Sequence, residues 1–170
     1  VAGKIFQHNS YIIKFIKYIC NISYSRYDHI VDIGKCMRQR LLEYKSLKNK
    51  DFSTIVPWAV FEPPNYLNVN KEERRRFKKY DLVLMYSGNF GFFHEYKNIL
   101  SLADKLSEHN ICFVFSVRGN SVSELKESIP KECNNIQFIE FASYEKLNDR
   151  LSCADIHIVS LKKDFTGLAI

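Results

Sequence analysis

Residues 81–106, DLVLMYSGNFGFFHEYKNILSLADKL, leave few folds open. The apolar run from Leu82 to Tyr86 is short and rich in strand formers, as in a strand buried on both faces. Ser87, Gly88, Asn89, Phe90 and Gly91 follow as a turn whose two glycines can take positive φ or let a ligand approach the backbone. Ile99, Leu102, Ala103 and Leu106 then fall at i, i+3, i+4 and i+7, the apolar stripe of a helix. Strand, glycine turn and helix make half of a βαβ unit. Such a turn lies where free backbone N–H groups and the helix dipole favour an anion such as phosphate. A plain strand-to-helix connection has the same pattern, because a lone G-x-x-G is a weak signal.

The second half repeats this alternation. Ile111 to Val117 reads as a second buried strand, and Arg118, Gly119 and Asn120 form its C-terminal turn. Ser121 with Glu124 matches a capping box opening a short helix that ends before Pro130. Ile136 to Phe141 reads as a third strand. Ser143 is placed to cap a helix carrying Leu147, Leu151 and Ala154, and Ile156 to Leu161 reads as a fourth strand. Apolar strands alternating with helices predict an α/β chain with a Rossmann-like, doubly wound parallel sheet. Ligands in such sheets bind outside the C-terminal strand ends. Here those ends are Gly88 to Gly91, Arg118 to Asn120, Phe141 to Ser143 and Lys162 to Leu168, which we expect to be neighbours.

Ahead of this lies a segment of different character. Ser10 is placed to cap a helix reaching about Asn21, with Ile12, Ile16, Ile19 and Cys20 on one face and Lys14 and Lys17 on another. Tyr11, Phe15 and Tyr18 add an aromatic stripe, which suits either a helix packed in a core or one lying at a membrane interface. His29 to Gly34 predicts a strand, Cys36 to Leu47 a helix, and Ser53 to Val56 a strand ended by Pro57. Residues 57–70 hold three of the four prolines and suit a surface connection. We expect residues 1–60 to be the C-terminal part of one domain, 61–80 a linker, and 81–170 an incomplete second domain. The charge run KEERRRFKKY, 71–80, reads as a solvated helix or linker. Nucleic acid is a weak partner for it because no recognition motif accompanies it, and anionic lipid fits somewhat better.

A net charge of +6 suits an anionic partner. Five widely spaced cysteines without C-x-x-C predict free thiols and a reducing, cytoplasmic setting, with Cys112 and Cys153 buried. No uncharged apolar run approaches the ~20 residues of a spanning helix. The start at Val1 and the stop in the apolar run from Phe165 to Ile170 read as a slice of a longer protein, with catalytic residues outside it. P-loop, dinucleotide, nucleophile-elbow and zinc-protease motifs are absent, and no metal-ligand cluster is legible. His157, inside a predicted buried strand, reads as a core histidine.

Taken in order, YSGNFGFFHEYKNILSLADKL, ICFVFSVRGN, NNIQFIEFASYEKLNDRLSCADIHIVSL and DFTGLAI resemble the donor-binding domain of GT-B glycosyltransferases of the family 4 retaining type. HIVDIG and TIVPWAVFEP are similar to the end of that family's acceptor domain running into its linker, so the resemblance covers nearly the whole chain. It implies transfer of a sugar from a UDP-, GDP- or similar sugar nucleotide to a glycan or lipid-linked acceptor in surface polysaccharide synthesis. No cofactor or metal is implied, and the setting is cytoplasmic, at the inner face of the membrane where contact is peripheral. Carried over by position, Lys97 corresponds to the lysine that meets the donor phosphates, and Gly88, Asn89, Phe90 and Gly91 offer backbone N–H groups. Phe141 and Ala142 lie by the nucleobase, while Thr166, Gly167 and Leu168 begin the loop that meets the diphosphate and sugar. Arg118 and Gly119 occupy the neighbouring strand end. Two departures stand out. The basic residue that often follows the glycine turn is Phe92 here, which leaves Lys97 and Arg118 to supply positive charge, and the downstream acidic motif is missing. The alternative function is a non-catalytic nucleotide-binding Rossmann-like module.

Overall fold

The computed structural model describes residues 10–57 and 72–168. The expected connection at 57–70 and the boundaries near residues 60 and 61 fall almost wholly outside them. The chain divides into two units, Val1–Phe61 with Lys162–Ile170, and Glu62–Leu161.

In the first unit, α1 runs Tyr11–Ser25. Ser10 caps it by accepting a hydrogen bond from the Ile12 N–H at 3.3 Å. The strands β1 (His29–Asp32) and β2 (Asp51–Thr54) pair in parallel, with His29 opposite Asp51 and Asp32 opposite Thr54. Between them lies α2 (Lys35–Leu41), shorter than the expected helix, followed by a 3₁₀ turn at Lys45–Leu47 that buries Leu47 fully. Strand β2 starts two residues before the expected one. Its register is set by Asp32, whose Oδ1 accepts from Thr54 Oγ1 at 2.8 Å and from the Gly34 N–H at 3.0 Å. Arg38 Nε donates to Asp32 Oδ2 at 2.6 Å, and its Nη2 donates to Thr54 Oγ1 at 2.9 Å. Burial pushes the Asp32 carboxyl up, but the bonds from Arg38 and Thr54, the Arg38 charge and the Gly34 N–H outweigh it and hold the group below the ordinary range.

The second unit carries α3 (Glu72–Arg75), β3 (Leu82–Asn89), α4 (Lys97–Lys105), β4 (Ile111–Arg118), α5 (Val122–Glu127), β5 (Ile136–Phe138), α6 (Leu147–Leu151) and β6 (Ile156–His157). Its four strands are all parallel, in the order β5-β4-β3-β6. The side-chain alternation of β3 and β4 builds a core on each face. Leu84, Tyr86, Phe113 and Phe115 point to Ile99, Leu100 and Ala103 of α4 and Leu125 of α5. Val83, Met85, Cys112 and Val114 point to Phe77 and Cys153 on the other. Connections from β3 through β4 to β5 use one face, and the return to β6 uses the opposite face. A right-handed crossover requires this once the direction of travel reverses. The fold is α/β with Rossmann-like parallel strands.

Several local expectations change. Leu102 is 44% exposed, and the buried stripe of α4 is Ile99, Leu100 and Ala103. Ser121 makes no side-chain cap bond, and the capping-box partner Glu124 accepts from the Tyr96 hydroxyl at 2.7 Å while the Ser121 N–H donates to the Phe90 carbonyl at 3.3 Å. Ser143 precedes a 3₁₀ turn at Tyr144–Lys146 without a side-chain cap bond, and α6 begins only at Leu147. Strands β5 and β6 are three and two residues long, well short of expectation, and His157 is exposed rather than a core residue. The charge run is docked rather than freely solvated. Phe77 is fully buried, Arg74 Nη2 donates to Asp155 Oδ2 at 2.9 Å, and that carboxylate also accepts the Val83 N–H at 2.7 Å. Asn135, itself 2% exposed, ties off the end of α4 by donating to the Ala103 carbonyl at 2.9 Å.

Candidate functional site

From β3 to β5 each new strand is laid down on one side, and β6 is then laid on the other side of β3. The strand order therefore reverses beside β3, and its C-terminal end is the switch point where open α/β sheets hold ligands.

Strand β3 continues through Gly88 to Asn89, three residues beyond the expected strand, with Gly88 opposite Val117 and Asn89 opposite Arg118. Gly88 has φ 149°, and a Cβ there would meet nothing within 4 Å, so this backbone is open to approach. Phe90 differs: its ring is fully buried and its N–H donates to the Arg118 carbonyl at 2.6 Å. The Gly91 N–H donates to His94 Nδ1 at 2.8 Å. Two of the amides expected to face a ligand are thus spent inside the protein. His94, buried and stacked on Phe90 at 5.2 Å, is what fixes the turn, and the sequence reading did not single it out. Gly119 completes the clamp. At φ 133° its Cα passes so close to Phe90 that a Cβ would lie 2.5 Å from the Phe90 carbonyl oxygen.

With two of the four amides consumed, side-chain charge becomes an important resource of this end of the sheet. Arg118 Nε donates to Asn89 Oδ1 at 2.8 Å, and its guanidinium lies 4.4 Å from the centroid of the Phe141 ring. One cation therefore bridges the ends of β3 and β4 and the segment after β5 while staying exposed. Lys97 is the first residue of α4 and is exposed, its own N–H donating to Glu95 Oε1 at 2.9 Å. Ala142 is buried beside half-buried Phe141.

Phe141 and Ala142 also line a cavity of about 590 Å³ with Phe138, Ser143, Lys146 and Arg150. Its floor is a charged network. Arg150, 7% exposed, donates from Nε to Glu73 Oε2 at 3.1 Å and from Nη1 to Ser116 Oγ and the Glu140 carbonyl. Glu73 Oε2 also accepts from Arg76 Nη1 at 3.3 Å. Neither Arg150 nor Glu73 stood out in the sequence, since each sits among other charges in a helical pattern. Burial pushes the Cys112 thiol up to about 11 and raises Cys153 as well, so neither is poised as a thiolate nucleophile. Among the described residues no group of three or more His, Cys, Asp or Glu side chains is arranged to hold a metal ion.

Thr166, Gly167 and Leu168 belong to the first unit. There the Thr166 carbonyl accepts from Arg40 Nε at 2.5 Å, and Gly167, at φ 79°, approaches the Cys36 carbonyl so closely that a Cβ would lie 2.6 Å from its oxygen. Leu168 is 52% exposed.

The chain aligns over its whole length with "Probable glycosyltransferase WbjE" of Pseudomonas aeruginosa, at 22% identity over 179 residues covering 43% of that protein. It aligns with "Putative colanic acid biosynthesis glycosyl transferase WcaI" of Escherichia coli K12 at 28% identity over 82 residues, 48% of this chain and 20% of that protein. Both similarities relate the chain to glycosyltransferases. The chain spans less than half the length of either relative. No protein-family model matches it.

Proposed function

We propose that this chain carries the donor site of a retaining, GT-B-type glycosyltransferase that moves a sugar from a nucleoside diphosphate to a glycan or lipid-linked acceptor in surface polysaccharide synthesis. One observation carries the reading: at the switch point of the sheet, Arg118 is held by Asn89 and Phe141 beside the open backbone of Gly88. A diphosphate fits such a place. It brings two negative charges to a fixed planar donor, and a guanidinium binds phosphate oxygens in pairs. The nucleoside is assigned to the cavity beside Phe141 and Ala142, and Lys97 to the same anion as Arg118. In the transfer step these cations would stabilise charge developing on the departing diphosphate. Similarity to two glycosyltransferases supports the reaction class.

Calorimetric titration of the chain with UDP, GDP and ADP tests this. One of them is expected to bind saturably, with affinity falling as salt rises. Arg118→Ala and Lys97→Ala should each lose a charge-assisted bond of about 1.5–3 kcal/mol, roughly ten- to a hundred-fold in affinity. Lys105→Ala, at the far end of α4, should cost little. Absence of binding by all three nucleotides, or equal binding by wild type and both variants, sinks the reading.

A further inference from the structure

The cavity beside Phe141 takes part of its wall from the charge run. Glu73 of α3 and Arg76, the residue after that helix, line it together with the segment that follows β5. Glu73 is held there by two partners. Arg150 Nε donates to its Oε2 at 3.1 Å, and Arg76 Nη1 donates to the same oxygen at 3.3 Å. Arg150 is itself 7% exposed and is anchored through Nη1 on Ser116 Oγ and the Glu140 carbonyl. The Glu73 carboxylate is therefore fixed in position. Among the described residues both of its bonds fall on Oε2 and none on Oε1.

Other acceptors of the cavity are already committed. The Glu140 carbonyl takes Ser116 Oγ and Arg150 Nη1, and the Ser143 hydroxyl bonds the Glu145 carboxylate. What remains is a pre-set carboxylate beside the cation of Arg76. That pair sorts the nucleobases. An ionised carboxylate only accepts hydrogen bonds, and a guanidinium only donates them. Guanine presents two adjacent donors, N1–H and the 2-amino group, next to the O6 acceptor, so a carboxylate and a cation match its whole edge. Uracil sets one N–H between two carbonyl oxygens, and a carboxylate that takes the N–H also faces a lone pair. Adenine sets its amino N–H beside the bare N1 lone pair, with the same penalty. Repulsion of this kind discriminates between ligands as strongly as attraction does.

We propose that the cavity takes guanine and that Glu73 selects it, which makes the donor a GDP-sugar. The Oε1 side of the Glu73 carboxylate accepts from guanine N1–H and the 2-amino group, and Arg76, tied to that carboxylate, donates to O6. The inference rests on the donor-site reading given above, whose base it names.

Calorimetric titration of the full 170-residue chain with GDP, IDP, UDP and ADP tests it. IDP keeps N1–H and O6 and lacks the 2-amino group. GDP is expected to bind at least about tenfold tighter than UDP and ADP, and about tenfold tighter than IDP, which forgoes one hydrogen bond to a charged group. Glu73→Gln should weaken GDP by at least about tenfold and leave UDP within about twofold, because its amide N–H₂ opposes the guanine donors. If that variant does not fold, the wild-type order of the four nucleotides decides alone. UDP or ADP binding as tightly as GDP, or IDP binding equally, overturns the inference and leaves the donor site standing. Absence of binding by all four overturns both. A Glu73→Gln loss shared equally by GDP and UDP also overturns it, and places Glu73 on the ribose or in support of Arg150.

Discussion

Asp32 and Arg118 are both charged groups held by neighbouring side chains, and their surroundings send them to different uses. Asp32 is wholly buried and accepts from Arg38, Thr54 and Gly34, so no face of it is open to a ligand. Arg118 spends Nε on Asn89 and sets its guanidinium over the Phe141 ring, while the side chain stays exposed. The first is a strut and the second is the candidate contact. Because folding depresses the Asp32 carboxyl, its contribution to stability is present above the ordinary aspartate value near 4 and is lost as pH falls through the lowered value. Asp32→Asn should therefore be less stable than wild type at pH 7 and closer to it near pH 2–3, in denaturant titrations followed by circular dichroism.

At the scale of elements, the β3–α4 and β4–α5 connections work as one piece. Phe90 donates to the Arg118 carbonyl and accepts from the Ser121 N–H at 3.3 Å, while Gly119 passes under it. Gly119→Ala would force a Cβ into the Phe90 carbonyl at a positive φ, a strain of about 1–3 kcal/mol. A melting temperature lowered by several degrees is the expected result. Gly91→Ala makes the contrast. A Cβ there would meet Phe93 at 3.6 Å and Asn120 at 3.7 Å, ordinary contacts without a positive φ, so stability should hold or rise slightly. Equal losses in the two variants would contradict this account of the clamp.

Across the whole molecule the two units differ in how much they bury. The second has eight-residue strands β3 and β4 paired along their full length between two cores. The first has two four-residue strands, with Ile13, Leu47 and Asp32 as its buried side chains among the described residues. A lone two-stranded pair is marginal in water. Native-state hydrogen exchange should show Val83–Tyr86 and Phe113–Phe115 amides protected at least about tenfold longer than those of Ile30–Asp32 and Phe52–Thr54. Matching protection in both sheets would show that the units unfold together.

Much of the frame was legible because it depends on periodicity and on local turn chemistry. Alternation of apolar runs and helical stripes is enough to give parallel strands β3 and β4, the helices between them and an α/β class, since those strands are buried on both faces by their own neighbours. Ser10 announced α1 for the same reason, a cap being a bond two residues long. The ends of the sheet were not legible. Strands β5 and β6 read as longer than they are, and His157 as buried, because an apolar run does not record whether another strand or helix lies beside it. Only the tertiary structure decided that the amides of Phe90 and Gly91 are spent, that Glu124 serves Tyr96 rather than Ser121, and that Arg118 stands over Phe141. Each is a bond between residues that pattern alone leaves unpaired, and a hydrogen bond is made only where the packed backbone brings donor and acceptor within about 3 Å.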